Sequence, residues 1–167
     1  MITMFQVVVP SCLQTLGALH GVLDKAAAHA EAHKFDPAIL LTARLYPTMF
    51  TCQRQVQIAC DFAKGGCARL AGVEAPKHPD TETTIPELKA RLTSVMDFIK
   101  TLTPAQIDGS EEREVVLKVA GKEMQFKGQA YLLHFVLPNV HFHATAAYSI
   151  LRHNGVDVGK RDFMGSF

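Results

Sequence analysis

The sequence predicts an all-α fold, a four-helix bundle with a small β-hairpin between its third and fourth helices. Three observations carry this. Apolar residues recur at spacings of three and four through four long segments, which places them on one face of a helix. Polar connections containing Pro or Gly separate the segments. The period switches to alternation only between the third and fourth segments. The 167 residues fit one domain, 1–167. A chain of that length buries about 70% of its unfolded surface and needs no disulfide or metal to hold a core.

The first helix is expected from Ser11 to His33, with Leu13, Leu16, Leu19, Leu23, Ala27 and Ala30 as its apolar stripe. Pro10 either starts it or interrupts a longer helix. Lys34–Tyr46 reads as a connection with a short turn at Pro37–Leu41. Pro47 suits the first position of the second helix, where its missing N–H is not needed. Met49, Cys52, Val56, Ala59, Ala63, Gly66 and Leu70 then form a bundle seam that ends at Gly72. Thr84-Ile85-Pro86-Glu87 is a capping box, and it opens a third helix carrying Leu88, Leu92, Val95, Ile99 and Leu102. Residues 114–119 and 123–126 flank Ala120-Gly121-Lys122 as a hairpin. The fourth helix runs from Gly128 to the Asn154-Gly155 stop, with Pro138 expected to remove a backbone bond and kink it.

The charge balance excludes one class of function. Seventeen basic and 16 acidic side chains leave a net charge of +1, without a basic stripe to collect nucleic-acid phosphates. Cys12, Cys52, Cys60 and Cys67 contain no C-x-x-C pair, so they read as buried small hydrophobes in a reducing compartment rather than a zinc cluster. The apolar stretch before Asp24 lacks a basic leader region and is interrupted by Gln6, Ser11, Gln14, Thr15 and His20. A buried first helix is expected there, with no membrane span, in a cytoplasmic protein.

Chemistry concentrates in the fourth helix, which holds His134, His141, His143 and His153. At about 100° per residue these four cannot face one point. Asn139 and His143 are four apart and share an apolar face with Val136, Ala146, Ala147 and Ile150. A buried imidazole there needs a partner: Asn139, a side chain of the second helix, water or a metal. His143 is thus either a satisfied core histidine or a metal ligand. His153 suits the negative end of the helix dipole.

The run from Leu137-Pro138-Asn139 through Phe142-His143 and Ala147-Tyr148 to Leu151-Arg152-His153-Asn154-Gly155-Val156 resembles the signature of a domain-of-unknown-function family in the DinB/YfiT-like superfamily. Gln55–Asp61 and the tail Gly159–Phe163 are similar to it as well. The resemblance implies a bundle with a divalent metal, zinc or nickel, held by one histidine from the second helix and an H-x-x-x-H pair from the fourth. His143 occupies the second position of that pair, and Asn139 stands at the first. The second helix has no histidine; Gln57 and Asp61, one turn apart, are its nearest substitutes. The implied metal set is therefore His143, Asn139, Asp61 and Gln57, a weaker site than three imidazoles.

Two functions follow. In one, the protein is an enzyme of thiol-dependent transferase, hydrolase or isomerase type acting on a small molecule, with His143 as catalytic base or ligand. In the other, a non-catalytic bundle binds a small ligand or pairs with itself, and His143 and Asn139 form a structural polar network. The resemblance also implies a homodimer.

Overall fold

The first helix begins earlier than its apolar stripe suggests, because Thr3 caps it. The Thr3 hydroxyl accepts from the Gln6 N–H, and the Gln6 side-chain oxygen accepts from the Thr3 N–H. In the computed structural model, which describes residues 2–119 and 121–165, α1 runs Met4–His33 and Pro10 lies inside it. Pro10 withdraws only the bond to the Gln6 carbonyl, on an exposed face. Val8, Val9 and Cys12 are buried on either side, and their packing carries the helix through. By length and composition α1 is apolar enough to cross a membrane, yet Leu16, Leu19 and Leu23 are buried in the bundle core.

α2 (Ala38–Thr42) fills the predicted turn. α3 (Cys52–Ala71) starts at Cys52, not at Pro47, because the Thr51 hydroxyl accepts from the Arg54 N–H and so caps the helix there. Pro47 sits instead in a turn in which the Met49 N–H reaches the Tyr46 carbonyl at 2.9 Å. Met49 therefore drops out of the seam, whose remaining members from Cys52 to Leu70 are all buried. Gly72 ends α3 with φ of 71°, a left-handed value that favours glycine.

α4 (Ile85–Lys100) opens on the predicted Thr84–Glu87 capping box, and a single turn, α5 (Pro104–Ile107), follows it. β1 (Glu114–Val119) and β2 (Lys122–Lys127) pair antiparallel, with Val116 opposite Gln125. Ala120 of the predicted hairpin turn lies outside the described residues.

The last long helix is built in three parts. α6 (Gly128–Tyr131) leads into a π-helical turn, Leu132–Val136, and then α7 (Leu137–His153). The wide turn immediately precedes Pro138, where an α-helix would drive the proline ring against the carbonyl of His134. α8 (Lys160–Met164) closes back on α1.

The four long helices form a square. α1 neighbours α4 and α7, α3 neighbours the same two, and α3 packs most extensively on α7. At Gly66 a Cβ would come within 2.4 Å of a Val136 methyl, so glycine lets α3 and the π-helical turn approach closely. That close α3–α7 edge carries His143.

Candidate functional site

His143 projects from α7 toward α3, and only 8% of its surface is exposed. Its Nδ1 lies 2.6 Å from Gln55 Oε1. The Gln55 amide nitrogen donates to the Phe50 carbonyl, which turns the Gln55 oxygen toward the imidazole. Nδ1 must therefore carry the proton, and Nε2 keeps its lone pair. Nε2 has no hydrogen-bond partner among the described residues and retains contact with solvent.

Aromatic rings hold the imidazole in place. Phe62 of α3 stacks on it with a centroid separation of 5.7 Å and an interplanar angle of 13°. Phe142, itself exposed, meets it edge-on at 5.2 Å. Burial, with the Arg54 guanidinium adding to it, holds the imidazole below its ordinary value of 6.5. At neutral pH the site is a neutral, tautomerically fixed base.

The other residues of the implied metal set lie apart from it. The Asn139 amide donates to the Phe135 carbonyl at 2.7 Å, within its own helix at the π-helical turn. Gln57 accepts from Arg54 at 3.2 Å and donates to Glu82 at 2.8 Å. Asp61 is held by Arg91 at 2.7 Å and Lys64 at 3.0 Å. Among the described residues no hydrogen bond joins His143 to any of these three, and no group of three His, Cys, Asp or Glu side chains is placed to hold a metal ion. One imidazole nitrogen without converging carboxylate, thiolate or second imidazole does not fit a zinc or nickel centre. His134, His141 and His153 are exposed.

Gln57 and Asp61 instead belong to a charged hub between α3, α4 and the 73–83 loop. At its centre the Arg91 side chain, 1% exposed, contacts Asp61, Asp80 and Glu82. Arg54 pairs with Asp80, and Lys64 bridges Asp61 and His78 Nδ1. Burial pushes the Asp80 and Glu82 carboxyls up, but hydrogen bonds outweigh it and hold both low. These come chiefly from Arg54 at Asp80, and from its own backbone N–H and then Arg91 at Glu82.

The thiols are not poised for chemistry. All four cysteines are free and buried. Burial pushes Cys52 and Cys60 up to about 12, and the adjoining Cys12 thiol together with burial raises Cys67 as well.

Two residues central to these clusters were not singled out as site residues in the sequence reading: Gln55, named only within the Gln55–Asp61 run, and Arg91. Each carries a signal: Gln55 is a polar residue between Cys52 and Ala59 on the seam, and Arg91 lies between Leu88 and Val95 on the buried face of α4.

An α3–α7 edge carrying one buried histidine, on a square of four helices with an inserted hairpin, defines a DinB-like helical bundle. A crystal structure of a DinB family member protein from Shewanella denitrificans is 40% identical, with a TM-score of 0.87 over 98% of this chain and 92% of that one. The family model for the domain of unknown function DUF1993 matches residues 4–164, and the chain belongs to that family. No curated protein matches it.

Proposed function

We propose that the protein acts on a small molecule at the α3–α7 edge, with the neutral His143 imidazole as a general base. The observation that carries this is the 2.6 Å contact from Nδ1 to Gln55, which leaves the Nε2 lone pair free and open to solvent. Nε2 would take the proton of a water or of a substrate thiol as its oxygen or sulfur attacks an electrophilic carbon, and the imidazolium would return that proton to the departing alkoxide or thiolate as its bond to the carbon breaks. That is the proton chemistry a hydrolase or thiol-dependent transferase needs, and it requires no protein thiolate. The exposed Phe142 ring beside the imidazole suits an apolar substrate. Four buried free thiols suit a reducing compartment, which supports a cytoplasmic location. Family resemblance supports a homodimer; light scattering at micromolar concentration decides it, and a monomeric mass overturns it.

A panel of activated aryl esters and thioesters tests the base directly. Hydrolysis above background should rise with pH through one ionisation below 6.5. It should fall by about a hundredfold in His143→Gln. Equal rates in the two proteins would contradict the proposal and favour the second reading, a non-catalytic ligand-binding bundle in which the Gln55–His143 pair is structural.

A further inference from the structure

A cavity of about 360 Å³ opens between α3, β1 and the start of the last helix; it shares Phe62 with the imidazole edge, and His143 does not line it. Its walls are aromatic. Tyr131 and Phe135 stack at 5.7 Å and 23°, and Phe62 meets Phe135 edge-on at 5.5 Å. Two cations line it as well, Arg69 of α3 and Lys118 of β1.

Arg69 is positioned rather than merely present. Its guanidinium folds back along α3 over Gly65, where a Cβ would come within 2.6 Å of Nη1. The same Nη1 donates to the Tyr131 hydroxyl at 3.2 Å. Neither Arg69 nor Lys118 has a carboxylate partner within ion-pair distance among the described residues. The one carboxylate at the cavity lip, Asp61, is already neutralised by Arg91 and Lys64. Glu123, opposite Lys118 across the hairpin, accepts from Gln125.

We infer that this cleft binds a planar aromatic carboxylate, its ring against Phe62 and Phe135, with the buried Tyr131 behind them, and its carboxylate on Arg69, with Lys118 adding charge. Aromatic walls favour a flat ring, and the planar guanidinium fork matches a carboxylate. The volume suits a one- or two-ring molecule. The inference stands apart from the role of His143, which the cavity does not need.

The probe is 2-naphthoate, with the neutral 2-naphthamide and the non-aromatic cyclohexanecarboxylate as controls. Binding is followed by calorimetry and by amide shifts in isotope-labelled protein. 2-Naphthoate should shift the amides of Leu117, Lys118 and Tyr131 and bind about tenfold more tightly than either control. Arg69→Gln should weaken it by about tenfold, and Lys118→Gln by less. Gly65→Ala keeps the guanidinium charge and improves helix propensity, but it fills the space under Nη1. It should weaken 2-naphthoate binding while raising the melting temperature. Binding should persist in His143→Gln. Equal affinity for the amide, unchanged affinity in Arg69→Gln, loss of binding in His143→Gln, shifts confined to other faces, or no binding at millimolar probe would each overturn the inference.

Discussion

α3 carries two polar clusters, and they are built on opposite rules. Toward α4 and the 73–83 loop it presents a hub of three cations and three anions: Arg54, Lys64 and Arg91 with Asp61, Asp80 and Glu82. Toward α7 it presents one amide, Gln55, meeting one neutral imidazole between phenylalanines. In the hub every carboxylate is matched by a cation, so the groups hold one another in place. At His143 no carboxylate lies within ion-pair distance among the described residues, so burial keeps the ring neutral and the single hydrogen bond fixes its tautomer. Charge compensation makes the first cluster a structural joint, and its absence makes the second a proton acceptor.

The largest effect expected from breaking this contrast is at the hub. Arg91→Met removes the buried guanidinium and leaves Glu82, Asp61 and Asp80 without their shared partner. Urea denaturation should register a loss of about 3 kcal/mol, at the low end for a broken buried pair because the two aspartates are partly exposed. An unchanged midpoint would show that the hub is solvated decoration.

His143→Ala should cost slightly less, about 2–3 kcal/mol, since it orphans the Gln55 oxygen and empties the space beside Phe62. The loss should be the same with or without added zinc or nickel. A wild-type melting temperature that climbs by several degrees with either ion, in a protein whose His143→Ala variant does not respond, would restore a metal to this edge. A double-mutant cycle between Gln55→Ala and His143→Ala sharpens the point, with a coupling of about 1 kcal/mol expected.

The two clusters also separate in pH. Below 6.5 the unfolded chain protonates His143 while the native protein, with its lowered value, does not. Stability therefore rises with pH across the window between the lowered value and 6.5, and declines as pH falls through it. Asp80 and Glu82 behave in the same sense, in a lower window. Their stabilisation is present above their ordinary values of 3.8 and 4.5 and is lost as pH falls through their lower native values. Stability measured against pH should thus descend in two stages. His143→Gln should shrink the upper stage, leaving the part due to the lowered His78, and Arg91→Met should shrink the lower one.

How much of this was legible in the sequence differs between the two faces. The four long helices, the hairpin and the Thr84–Glu87 cap follow from period and capping chemistry, and the structure has them. The starts of α1 and α3 do not follow from the prolines, because the threonine hydroxyls of Thr3 and Thr51 decide them. His143 was legible as a buried imidazole because its neighbours on α7 are apolar. Its partner was not. Gln57 and Asp61 share a face of α3, but Gln55 is two positions from Gln57, a rotation of about 200° that turns it to the opposite side. Deciding between those faces requires knowing which neighbour each meets, and that is a property of the bundle, not of the helix. Asn139 was misleading for a local reason: the π-helical turn ahead of Pro138 exposes the Phe135 carbonyl, and the amide is used there.

The central claim is that His143 is a neutral base with its proton on Nδ1, and long-range nitrogen–proton NMR of the imidazole tests it most directly. At pH 7 the His143 ring, assigned by its absence in His143→Gln, should show a protonated Nδ1 and an unprotonated Nε2. That pattern should move to the other tautomer, or to a mixture, in Gln55→Ala, and should not respond to zinc. A ring protonated at Nε2, or carrying both protons at pH 7, would contradict the account.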